Sequence, residues 1–112
     1  MKLIKCILPG PKLEIVKEAL LRQGVMGMTI YEVQGCGVHR SQLEQKISRN
    51  YVVEFLPQFM LEMVLSDDKV GDVLNSLAAL GRTGRLGDGK VFVLPVDEAV
   101  RLRTGERGDS AI

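Results

Sequence analysis

Within nine residues, Arg82-Thr83-Gly84-Arg85-Leu86-Gly87-Asp88-Gly89-Lys90, the chain gathers three glycines and three cations. That is the composition of a loop built around an anion. Glycine lets the backbone turn through positive φ and brings N–H groups close to a ligand, while Arg and Lys supply charge-assisted donors that phosphate oxygens accept. Gly84 to Lys90 also fits G-x-x-x-x-G-K, the opening of the P-loop of nucleoside triphosphatases. The fit ends there, because Val91 stands where a metal-binding Ser or Thr is required. The segment also reads as running from helix into strand, the reverse of a P-loop. Phosphate binding survives that rejection, and so, on composition alone, does an ordinary glycine-rich turn with solvated cations.

The elements that hold this loop follow from periodicity. Met1 to Leu8 reads as a strand closed by the turn Pro9-Gly10-Pro11, and Lys12 to Gln23 as a helix with Leu13, Val16, Ala19 and Leu20 on one face and Gly24 just past its end. Val25 to Gly35 reads as a second strand, broken by Gly35-Cys36-Gly37. From Val38 to Asn50 apolar periodicity stops, and an excursion of this length inside a small domain is usually functional. Strand character resumes over Tyr51 to Leu56 and, after Pro57, over Phe59 to Leu65, with Glu62 facing away from Leu61 and Met63. Ser66-Asp67-Asp68 starts a second helix whose apolar face is Val70, Val73, Leu74, Leu77 and Ala78, and Gly81 ends it. A strand over Lys90 to Val96, the segment Asp97 to Leu102 and a polar tail complete the chain. This order predicts a ferredoxin-like βαββαβ α/β sandwich: one antiparallel sheet with both helices on one face. Strands 2 and 3 carry apolar residues on both sides, so burial of the bare face in an oligomer is expected.

Composition sets the outer bounds. A chain of 112 residues is one domain, residues 1–112, able to bury roughly 65% of its unfolded surface. With a net charge of +1 there is no global attraction to nucleic acid or lipid, and an anion site has to be local. Aromatic content of 4% without Trp argues against a base-stacking surface. Cys6 and Cys36 are too few and too far apart for a disulfide framework. The N-terminus has no signal-peptide pattern and no stretch is long enough to span a membrane, so a cytoplasmic protein without membrane insertion is expected.

Taken together, several segments resemble the PII signalling proteins, trimeric sensors of adenine nucleotides and 2-oxoglutarate. The resemblance rests on Gly24-Val25-Met26-Gly27-Met28-Thr29, Gly35 and Gly37, Tyr51 to Pro57, Arg82 to Val93, and Arg101-Leu102-Arg103-Thr104-Gly105-Glu106. It implies a homotrimer with ATP or ADP as effector, accompanied by Mg2+, in clefts between subunits. Gly87, Asp88, Gly89 and Lys90 would come from one subunit and Arg101 and Arg103 from the next, with Thr29, Gly35, Gly37 and the backbone at Val64 completing the site. It also implies a non-enzymatic regulator acting on a partner, a membrane transporter or a metabolic enzyme, through the T-loop, here about residues 37–54.

That loop departs from the family pattern. Cys36 replaces an aromatic residue, Val38 an Arg, His39 the Gln that helps hold Mg2+ and 2-oxoglutarate, and Gln58 the Lys that pairs with the 2-oxoglutarate carboxylate. The expectation is weakened 2-oxoglutarate sensing. His39 reads either as a substitute metal ligand and titrating group or as a solvent-facing loop residue. Tyr51 aligns with a tyrosine that some relatives uridylylate, the alternative being a packed strand-edge tyrosine. Two further functions stay open at this level: a sensor of another small metabolite or anion with nucleotide as co-ligand, and slow ATP hydrolysis.

Overall fold

The computed structural model describes residues 1–36 and 55–112. The order is β1 (Lys2–Pro9), α1 (Gly10–Arg22), β2 (Thr29–Cys36), β3 (Phe55–Leu65), α2 (Asp67–Gly81) and β4 (Lys90–Pro95), followed by a 3-10 turn at Gly108–Ala111. The four strands form one antiparallel sheet ordered β2-β3-β1-β4. The ferredoxin-like fold is therefore present: β3 pairs between β1 and β2, and the two helices pack on one face of the sheet.

Alternation along the strands decides which face meets the helices. Ile4, Cys6 and Leu8 of β1 and Leu61, Met63 and Leu65 of β3 are buried beneath Val16 and Leu20 of α1 and Val73 and Leu77 of α2. Leu61, with Cys6 on one side and Ile30 on the other, is fully buried. Burying a side chain of this size stabilises by roughly 1.5–3 kcal/mol. The Gln23 amide donates to the Ser76 hydroxyl and ties the end of α1 to α2.

Several boundaries differ from those the sequence predicts. Gly10 begins α1 rather than a turn, because Pro11 in the first helical turn has a preset φ and lacks only an N–H that would be unpaired there anyway. β2 starts at Thr29, and the four residues before it form an irregular link that drops Val25 into the core. β3 runs unbroken through Pro57, since β1 has already ended at Pro9, opposite Gln58, and leaves Pro57 on an edge. Ala78 is exposed rather than part of the buried face of α2. The polar tail is folded: Val100 bridges to Arg107, and Arg101 N–H donates to the Glu106 carbonyl.

Among the described residues, no element covers the face of the sheet away from the helices. Phe92 and Leu94 of β4 and Tyr31 of β2 are 48%, 40% and 39% exposed, and Leu3, Ile7, Met60 and Val64 are half-buried between them. At its centre Glu62 accepts from Lys5 Nζ at 3.0 Å and from the Tyr31 hydroxyl at 2.8 Å.

Candidate functional site

Residues 82–90 follow α2 and close against the end of the sheet where β1 finishes and β4 begins. Gly87 and Gly89 have φ of 95° and 98°. A Cβ on Gly89 would lie 1.8 Å from the Ile7 carbonyl oxygen, so the loop is pressed directly on the β1 backbone and no other residue fits there. Lys90, the next residue, pairs with Ile7 and places its side chain on the bare face.

The Asp88 carboxylate is engaged inside the loop. It accepts the Thr83 N–H at 2.8 Å, the Gly84 N–H at 2.9 Å and the Thr83 hydroxyl, and the Thr83 Oγ1 in turn accepts the Arg85 N–H at 3.2 Å. The Thr83 hydroxyl, followed by its N–H, holds the Asp88 carboxyl below the usual carboxylate range. Among the described residues, the N–H groups of Leu86 and Gly87 donate to no protein group. Donors left over in a glycine-turned loop beside Lys90 are what a phosphate needs.

Gly35 lies at the same end of the sheet, on β2, where the chain passes into residues 37–54. The Gln58 side chain lies across it: a Cβ on Gly35 would meet Gln58 Oε1 at 2.1 Å. An uncharged amide thus covers the base of the excursion.

The other candidate residues lie elsewhere. Thr29 opens β2, opposite Glu62 on the bare face and on the edge of the sheet remote from β4, and Val64 lies opposite Leu3 towards the far end of β3. Three strand spacings, roughly 14 Å, separate the β2 edge from the β4 edge. β4 carries the chain from Lys90 to Pro95, opposite Lys2, roughly 17 Å along the strand, before the C-terminal segment begins. There Arg101 pairs with Glu106, which also accepts from the Thr104 hydroxyl. Among the described residues, no hydrogen bond or ion pair joins Arg101 or Arg103 to residues 82–90. One chain brings Gly35, Gly87, Asp88, Gly89 and Lys90 to one end of its sheet, and it leaves Thr29 on the β2 edge, Val64 on the interior strand β3 towards its far end, and Arg101 and Arg103 beyond the end of β4. Gly37, Val38, His39 and Tyr51 lie outside the described residues, as does the whole excursion.

The family model for "Nitrogen regulatory protein P-II" matches residues 1–106. The chain belongs to the P-II family. Its relatives include nitrogen regulatory proteins P-II of Azospirillum brasilense at 44% identity, Cereibacter sphaeroides at 43% and Synechocystis sp. at 43%, each over 112 residues and 100% of both chains. Membership makes this a regulatory signal protein and accounts for the fold.

Three features of the P-II chain were not found by reading it as a string. Thr83 is the partner of Asp88, Glu106 the partner of Arg101, and Lys5, Glu62 and Tyr31 form one polar group on the bare face. Period-two spacing puts each of the last three on that face, but only the lateral register of three strands makes them neighbours. Among the described residues, no helix is long and apolar enough to cross a membrane, and no cluster of three or more metal-ligating side chains occurs.

Proposed function

We propose that the protein is a homotrimeric regulator that binds ATP or ADP in clefts between subunits, and that occupancy of the cleft sets the conformation of residues 37–54 and hence the control of a partner protein. The observation that carries this reading is the division of the donor set. Gly87, Gly89 and Lys90 sit at one corner of the sheet, while Thr29 lies on the β2 edge, Val64 towards the far end of β3, and Arg101 and Arg103 beyond the end of β4. A second copy laid against the bare, partly apolar face would bring the two halves together. Each Arg or Lys bond to phosphate contributes about 1.5–3 kcal/mol, so two half-sites together hold a nucleotide that neither holds alone.

The residues fit a polyphosphate. Unpaired loop N–H groups and Lys90 would hold the phosphates, with Arg101 and Arg103 of the neighbouring copy closing over them. A bound Mg2+ would offset further phosphate charge. Hydrolysis finds no free base in two carboxylates: Asp88, within the loop, is held by Thr83 and Gly84, and Glu62, on the sheet face away from the helices, by Lys5 and then Tyr31, each carboxyl lying below its usual range. Such groups are weak proton acceptors.

Gln58 favours a changed effector response. Its neutral amide over Gly35 offers no cation to a dicarboxylate, so 2-oxoglutarate should couple to ATP binding by less than about tenfold, near 1.4 kcal/mol. Calorimetric titration with ATP and ADP, with and without Mg2+ and 2-oxoglutarate, tests the reading alongside light scattering. A monomer that binds ATP, or a Lys90→Ala variant that binds it as well as the parent, refutes the site. Coupling above tenfold refutes only the effector assignment.

A further inference from the structure

The Asp88 carboxylate occupies an odd position for an anion site: a negative charge within a loop whose remaining groups suit phosphate. Its geometry resolves the conflict. Oδ2 accepts two consecutive N–H groups, those of Thr83 and Gly84, and Oδ1 accepts the Thr83 hydroxyl, while that hydroxyl oxygen accepts the Arg85 N–H. Three hydrogen bonds therefore tie the first half of the loop to Asp88, and the fourth fixes Thr83 within that first half. They direct the charge of Asp88 towards residues 83 and 84 and offset it with three donors, which is also what holds the carboxyl low.

We propose that Asp88 and Thr83 form a latch that presets the phosphate loop, with Asp88 acting as a positioning residue rather than as a direct contact for nucleotide or metal. The inference rests on the nucleotide-site reading above. The latch occupies the N–H groups of Thr83, Gly84 and Arg85, so that the donors left for a ligand are those of Leu86 and Gly87, beside Lys90. It also fixes the curvature that brings Gly89 onto the Ile7 carbonyl. A ligand then meets a loop already ordered, and the entropy of ordering it is not charged against binding.

ATP affinity in the presence of EDTA, measured by calorimetry, tests this on the parent, Asp88→Asn, Thr83→Val, Thr83→Ser, the Asp88→Asn/Thr83→Val double variant and Lys90→Ala. Loss of the latch should weaken binding by about 10- to 30-fold in each of Asp88→Asn and Thr83→Val, whereas Thr83→Ser, which keeps the hydroxyl, should stay within about threefold of the parent. Because both single changes break one latch, the double variant should bind within about threefold of the weaker single variant. Losses that multiply in the double variant would show that Asp88 touches the ligand directly, and parent-like binding by Asp88→Asn would show that the latch does not matter; either overturns the proposal. If Asp88→Asn does not fold, the contrast between Thr83→Val and Thr83→Ser decides alone: equal affinities reject the latch. Parent-like binding by Lys90→Ala would instead remove the nucleotide site on which the inference rests.

Discussion

Replacing Gly89 by Ala separates a loop packed on the β1 backbone from a turn that is free of it. Two costs add at this position. The backbone has a φ of 98°, which disfavours any L side chain by about 1–2 kcal/mol. The new methyl would sit 1.8 Å from the Ile7 carbonyl oxygen, more than an ångström inside the closest approach a real Cβ makes, and the obstacle is backbone rather than a side chain that can swing away. Relief requires the loop to lift from β1, at about 1–3 kcal/mol of overpacking, and to strain the Ile7–Lys90 pair, about 1 kcal/mol more. Gly87 provides the control, since its φ is 95° and nothing lies within 4 Å of its Cβ position. Gly89→Ala should therefore destabilise by about 3–6 kcal/mol and Gly87→Ala by about 1–2 kcal/mol. For a chain of this size that is a Tm lowered by roughly 12–24 °C against 4–8 °C, read by calorimetry at one fixed protein concentration. Equal Tm values for the two variants would refute the argument, because the contact with Ile7 is the main difference between them.

Three further outcomes follow from the structure. Leu61→Ala removes a fully buried side chain at the centre of the sheet and should cost about 2–5 kcal/mol in urea unfolding. Cys36 is exposed, whereas Cys6 is buried with its thiol pushed up to about 11, so an aromatic disulfide reagent at pH 8 should label one thiol per native chain and two after unfolding. The Glu62 carboxyl is held low by Lys5 first and Tyr31 second, so its contribution to stability is present above the ordinary glutamate pKa and is lost as pH falls through the lower folded value. Lys5→Met removes the larger cause and should move the acid limb of a Tm–pH profile to higher pH.

The sequence determined much of this protein because its signals are local. Alternation of Ile4, Cys6 and Leu8 marks one strand face, and the spacing of Val70, Val73 and Leu77 marks one helix face. Glycines between cations mark Arg82 to Lys90 as a turning, cation-rich loop wherever it is placed. Gly24 and Gly81 end their helices as their positions predict. Boundaries were less legible where a neighbouring strand decides them: Pro57 stays within β3 only because β1 stops at Pro9, and Thr29 opens β2 only because Glu62 faces it.

Tertiary structure alone decided the rest, because pairing across strands and within the loop depends on register, and a string of residues does not carry register. Asp88 reads in the sequence, by resemblance, as a nucleotide-site residue, and folding turns its carboxylate onto Thr83 and Gly84. Lys5, Tyr31 and Glu62, far apart in the chain, become one group on the bare face. Gln58 and Gly35 meet only because β2 and β3 are neighbours. The strand register also sets Lys90 at the start of β4, opposite Ile7, and carries the chain to the other end of that strand before Arg101 and Arg103.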